Sequence, residues 1–169
     1  MLVVACGSTA PSTEAKQQNL EQQAQMTLRS MIQRDPSLTA VLDQSAGYAV
    51  FPEIAKGGLV AGAASGRGVL YQNGQMMGFV RLSQASIGAQ VGGQTFSELV
   101  AFQDDFHVQR LKRGEFSLGA NASAVVLKSG AGAAAQFRDG VAVFVVPRGG
   151  AMAELSISGQ RISFEPTSG

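Results

Sequence analysis

Residues 47–94, GYAVFPEIAKGGLVAGAASGRGVLYQNGQMMGFVRLSQASIGAQVGGQ, constrain any fold of this chain more than the rest of it does. Their glycines fall inside apolar runs of strand-like composition, where a glycine ordinarily weakens a strand. That placement predicts close backbone approach, bulges or sharp coiling. Asn73-Gly74 is the strongest turn signal, because both central positions of a type I′ turn need positive φ. A two-residue loop there pairs Gln72 with Gln75, Tyr71 with Met76 and Gly68 with Phe79, so that the Phe79 ring would cover the bare backbone of Gly68. Further on, Ala85, Ile87, Ala89 and Val91 alternate with Ser86, Gly88, Gln90 and Gly92, the pattern of a half-buried strand. Pro52 interrupts the apolar run at 48–54 and predicts a sheet edge or a bend.

Ahead of this stretch the period is helical. Leu20, Ala24, Leu28 and Met31 recur on one face of residues 14–34, with Ile32 beside them. Asp35-Pro36 ends the helix, since the residue before proline is pushed out of the α region. Ser37 is placed to cap a second, short helix carrying Leu38, Val41 and Leu42. The polar face of the first helix is rich in glutamine rather than basic residues, so it is expected to pack on a sheet rather than lie in a membrane interface.

Beyond residue 94 the chain alternates short apolar segments with turns. Residues 95–103 are apolar on both faces around Glu98 and suit a central strand, with a helix as the alternative. Residues 104–113, DDFHVQRLKR, carry acids first and bases last, the order a helix dipole favours, and Gly114 is placed to stop the helix. Residues 116–126 alternate as one strand, 128–135 read as a mobile loop, and Asp139-Gly140 makes a hairpin turn into 141–146. A third turn at 158–160 would join 151–157 to 161–164. The expectation is an α+β fold in which N-terminal helices, about 14–44, pack on a Gly-rich, strongly coiled antiparallel β-sheet or barrel, about 47–165. Residues 1–13 would be a flexible tether and 14–165 a single domain.

The composition bears mainly on what the chain does not do. Thirteen basic against 12 acidic residues leave a net charge of +1, with no global field to recruit nucleic acid, and aromatics make up only 7% with no Trp. One cysteine rules out an internal disulfide and a cysteine-based zinc site. His107, the single histidine, has no second imidazole or thiol for metal binding, and no G-x-S-x-G elbow is present. A hydrolase would need the fold to bring a serine and an acid to it. Glu53, Glu98 and Glu154 are isolated carboxylates, expected on solvated strand faces. The reading is therefore no enzyme, no metal and no cofactor. Lys56 and Arg67, each beside permissive glycine backbone, together with Lys112 and Arg113, are candidates for contacting phospholipid head groups. The competing reading makes them solvated cations on loops and strand ends.

At the start of the chain, Val3-Val4-Ala5-Cys6 matches the end of a bacterial lipoprotein signal, with a small residue before the cysteine. Cys6 would then be acylated, and the polar tail after it would serve as a tether. The alternative is an inert cysteine in that tail. Gly7, not Asp, follows Cys6, which favours sorting to the outer membrane, facing the periplasm.

Several motifs in order resemble the SYLF domain: Ala46-Gly47-Tyr48-Ala49-Val50-Phe51-Pro52, Lys56-Gly57-Gly58, Gly66-Arg67-Gly68-Val69-Leu70 and Gly88-Ala89-Gln90-Val91-Gly92-Gly93-Gln94. Phe116-Ser117-Leu118-Gly119 and Leu155-Ser156-Ile157-Ser158-Gly159 continue the likeness, which spans about residues 35–164. SYLF proteins are lipid-binding modules. Their eukaryotic members bind phosphoinositides and some act on actin, and bacterial ones are often envelope lipoproteins. The resemblance thus implies a phospholipid membrane as partner and no enzymatic activity. An envelope scaffold that recognises a protein or cell-wall partner is the alternative.

Overall fold

The computed structural model describes residues 9–56, 63–85, 94–119, 122–150, 157 and 159–167. The first helix, α1 (Glu14–Arg34), begins where Thr13 accepts a hydrogen bond from the Lys16 amide at 3.2 Å and ends at Asp35, ahead of Pro36. Ala24 and Met31 are buried on its inner face, with Leu20, Leu28 and Ile32 packed around them. After the proline turn, α2 (Leu38–Gln44) buries Leu38 and Val41. Ser37 does not cap α2 as its position suggested, because its backbone is already helical. Its hydroxyl instead donates to Asp35 at 2.6 Å and accepts from the Ala133 amide at 2.9 Å.

Among the described residues, eight strands form one curled sheet: β1 (Gly47–Lys56), β2 (Ala64–Gln72), β3 (Gln75–Gln84), β4 (Gln94–Phe102), β5 (Phe116–Ser117), β6 (Ala124–Val126), β7 (Val141–Gly150) and β8 (Arg161–Pro166). Their order is β5-β8-β3-β2-β1-β4-β7-β6. The α+β expectation with a coiled sheet holds, but the sheet is mixed rather than wholly antiparallel, because β6 runs parallel to β7. Residues 116–126, which read as a single strand, instead supply both edges of the sheet. Laid flat, eight strands would set those edges about 34 Å apart, whereas the seven steps from Ser117 to Ala124 span at most about 25 Å. The sheet must therefore curl into a half-barrel.

The concave face holds one core, including Phe51, Val80, Phe96, Val100, Phe102 and Val145, and α3 (Asp105–Lys112) adds Val108 and Leu111 to it. The convex face holds the other, where α1, α2 and a four-residue helix, α4 (Ala131–Ala134), cover Val50, Val69, Phe79, Leu99 and Phe144. Residues 128–135 are thus not the loop their composition suggested. β4 is central, as its two apolar faces indicated. So is β1, whose Pro52 marks a bend and not an edge: the pairing with both neighbours shifts around it. The Pro52 carbonyl accepts from Ser97 Oγ at 2.7 Å and Arg148 Nη1 at 2.9 Å.

At Asn73-Gly74, φ values of 52° and 75° confirm the type I′ geometry. Gln72 pairs with Gln75 and Tyr71 with Met76 as expected, but Leu70 then pairs with Gly78, leaving Met77 as a bulge. Gly68 in consequence faces Val80 rather than Phe79, and it is Phe51 of β1 that covers it. A Cβ at Gly68 would overlap the Val50 carbonyl and stand 2.9 Å from Phe51 Cδ1. Backbone inside a ladder cannot retreat, so Gly68→Ala is expected to cost roughly 2–3 kcal/mol, the upper part of the range for overpacking. Urea denaturation checks this, and a loss below about 0.5 kcal/mol would show that the strands can separate there. The expected strand at 85–91 and the strand at 151–157 fall almost wholly outside the described residues.

Candidate functional site

α1 crosses the convex face over Val69 and Phe79 and leaves the adjoining part of the sheet open. Directly paired residues on neighbouring strands share a face. Arg67 of β2 is paired with Arg81 of β3, and Arg81 with Ser163 of β8. The next row is Ser65, Ser83 and Arg161. Arg67 and Arg161 are exposed and Arg81 is half-buried.

Two open clefts lie side by side on this surface. One, of about 350 Å³, is lined by Arg67 and Arg81 with Leu20 and Gln23 of α1 and the Pro52-Glu53 bend. The other, of about 400 Å³, is lined by Arg161, Ser83, Ser117 and Ser163 with Glu115. Two guanidinium groups directly opposite on a sheet repel each other, and an anion placed between them relieves that repulsion. Of the acids nearby, Glu53 stands 3.7 Å from Arg148, Glu115 stands 3.8 Å from Arg113, and Glu165 accepts from the Ala10 amide at 2.9 Å.

The fold does not gather the cations singled out from the sequence into one cluster. Arg67 is the one that lines a cleft with another arginine. Lys112 donates to Gln72 Oε1 at 2.6 Å. Gln72 lies five residues, about 17 Å, along β2 from Arg67. Arg113 is exposed beside Glu115 just after α3. Lys56 ends β1 opposite Ala64 and Gln94, but its side chain lies outside the described residues, as do Cys6 and Glu154.

Sequence reasoning missed Arg81, Arg161 and Ser163. The unbulged register would have set Val80 opposite Arg67 and turned Arg81 to the other face. The single extra residue at Met77 reverses that, because a one-residue shift exchanges the faces of a strand.

At α3, Asp104 caps the helix by accepting from the His107 amide at 3.1 Å, and its carboxylate lies 2.6 Å from His107 Nδ1. These bonds to the His107 side chain and backbone hold the Asp104 carboxyl below its ordinary range. His107 is thus a hydrogen-bonding residue of the first helical turn, with its ring over Gly140. The exposed ring of Phe106 carries the Arg110 guanidinium at 6.0 Å. The bases Arg110, Lys112 and Arg113 are here balanced by Asp104, Asp105 and Glu115.

Glu98 is not the solvated strand carboxylate expected. It is fully buried on the concave face of β4, and burial pushes its carboxyl up to about 8, against the lowering effect of a hydrogen bond from Gln160. With the amide nitrogen of Gln160 turned toward it, that side chain donates to both carboxylate oxygens at 3.1 and 3.2 Å. β4 and β8 are four places apart in the sheet, so this contact crosses the curl. Glu98 lines neither cleft of the arginine face, which separates the most perturbed carboxyl from the exposed basic surface.

Among the described residues, no group of three or more His, Cys, Asp or Glu could hold a metal ion, and no helix is long and apolar enough to cross a membrane. In comparisons with known proteins, residues 83–167 match the family model Ysc84, described as Las17-binding protein actin regulator. That match runs from the end of β3 through β8 and covers half the chain. No curated protein matches.

Proposed function

The chain belongs to the Ysc84 (SYLF) domain family, and from that membership we propose that it is a lipid-anchored module of the bacterial envelope whose domain binds phospholipid. The observation that carries this reading is the opposed pair Arg67 and Arg81 at an open cleft on the sheet. Guanidinium forks match phosphate oxygens, and each basic side chain near an anionic surface adds about 1 kcal/mol of attraction. Acylation of Cys6 would place the domain at the membrane, and Gly7 after it favours the outer membrane, on the periplasmic side. The function proposed is binding and not catalysis: the perturbed carboxyl of Glu98 is shut in the core.

Co-sedimentation with vesicles tests the proposal, using the full chain with Cys6→Ser so that no acyl anchor contributes. Binding is expected to vesicles of phosphatidylethanolamine and phosphatidylglycerol, to weaken on replacing phosphatidylglycerol by phosphatidylcholine, and to fall further in 0.5 M salt. Absence of binding to every vesicle composition would remove phospholipid from the proposal.

A second reading has its own support. The family is described by a protein partner, Las17, so the same surface would instead engage an acidic protein or cell-wall component. Salt-sensitive capture of an envelope protein by the Cys6→Ser chain, in the absence of lipid and lost in Arg67→Gln/Arg81→Gln, would favour it.

A further inference from the structure

Resting on the phospholipid reading above, we infer that the sheet face of β2, β3 and β8 is the surface that lies against the bilayer, with Arg67, Arg81 and Arg161 meeting its anionic head groups. The first support is where the chain enters the fold. Thr9 Oγ1 lies 2.9 Å from Ser163 Oγ, and the Ala10 amide donates to Glu165 at 2.9 Å, so residues 9–10 are laid along β8. Thr9, Ala10 and Pro11 are buried there. Ser163 is the direct neighbour of Arg81, and Arg81 of Arg67. Cys6 precedes Thr9 by three residues, a reach of at most about 11 Å. An acyl chain on Cys6 therefore keeps its point of attachment within that reach of Thr9, whose hydroxyl touches Ser163 at the rim of this face.

Charge is the second support. With Glu53 beside Arg148 and Glu115 beside Arg113 taken as ion pairs, the face sets Arg67, Arg81 and Arg161 against one further acid, Glu165, which is held by the Ala10 amide. α3 with its flanks carries as many acids as bases, which leaves it no comparable attraction for an anionic surface. The hydroxyls of Ser83 and Ser117 add neutral donors around Arg161. An anionic bilayer fits both features, since it presents many phosphates in one plane beside the anchor.

Arginine labelling on the unsubstituted chain tests the assignment. The protein is coupled through Cys6 to a maleimide lipid in phosphatidylethanolamine/phosphatidylglycerol vesicles, treated with phenylglyoxal, and read by peptide mass spectrometry against the uncoupled protein. Labelling of Arg67, Arg81 and Arg161 is expected to fall at least fivefold. Arg34, which lies beside Pro147 and Arg148 of β7, and Arg138, which precedes β7, are expected to change less than twofold. Protection of Arg34 and Arg138 instead, or of none, overturns the assignment.

A sedimentation arm with Cys6→Ser separates this inference from the reading it rests on. There Arg67→Gln/Arg81→Gln/Arg161→Gln is expected to weaken vesicle binding about a hundredfold, at roughly fivefold for each charge. The corresponding triple lysine variant should retain binding within threefold, because the surface works through charge. If the parent chain binds and the glutamine variant binds equally well, this face is wrong while phospholipid binding stands. If the parent does not bind, the phospholipid reading itself fails.

Discussion

Glu98→Gln is expected to stabilise the protein by about 3 kcal/mol at pH 7. The carboxyl titrates at about 8 in the fold against an ordinary 4.5, because burial opposes its charge. The folded state therefore binds a proton that the unfolded chain has released between those values. Stability from this group is fully present below pH 4.5, declines as pH rises toward 8, and is flat above that. At pH 7 the chain has traversed about 2.5 of those units, at about 1.4 kcal/mol each. Glutamine keeps the shape of the neutral acid, and its amide can bond Gln160 without titrating. Urea denaturation from pH 5 to 9 should show the parent losing stability with rising pH and the variant nearly level. Equal pH slopes in the two proteins would refute the account.

Asp35→Ala acts in the opposite direction, with an expected loss of about 3–4 kcal/mol. Asp35 is fully buried where α1 ends. Its carboxylate accepts from the Ser37 amide at 3.1 Å, from Ser37 Oγ at 2.6 Å, and from the amides of Gly130 at 3.0 Å and Gly132. It thereby caps α4 from 95 residues away in sequence. Burial alone would raise its pKa, but the Ser37 hydroxyl and the amides of Gly132, Gly130 and Ser37 outweigh that and hold it below 3.8. Its contribution is present above pH 3.8 and is lost as pH falls through the lowered value. Alanine leaves three amides and a hydroxyl without their acceptor, the Gly132 amide among them in a buried position. Hydrogen exchange should show the Gly130 and Gly132 amides losing protection well before the strands do. A loss under 1 kcal/mol, or unchanged exchange at those amides, would mean that α4 is held by packing alone.

Features set by neighbouring residues were legible before the fold was known. The helix at 14–34 carries its own stop in Asp35-Pro36, and the helix at 105–112 its own acid-to-base order. The turns at Asn73-Gly74 and Asp139-Gly140 follow from the backbone freedom of those pairs, and all four residues have positive φ. The segment at 116–126 misled because alternation reports only that successive side chains face opposite ways. It cannot report that the hydrogen-bonding partner changes from β8 to β7 midway. Residues 128–135 misled for a related reason: nothing in KSGAGAAA shows the distant carboxylate that orders it.

The basic surface and the buried acid mark the same boundary. Composition and motif order were sufficient for the family, the helices before the sheet, the coiled Gly-rich strands and Arg67 as an outward cation, since each depends on local spacing. Placing Arg81 beside Arg67 required the bulge at Met77, after which β3 pairs in register with β2 on one side and β8 on the other. Burying Glu98 against Gln160 required the whole sheet to curl until β4 met the turn before β8. Both are relations between residues far apart in the chain, and only closure of the fold brings such residues within hydrogen-bonding or electrostatic range.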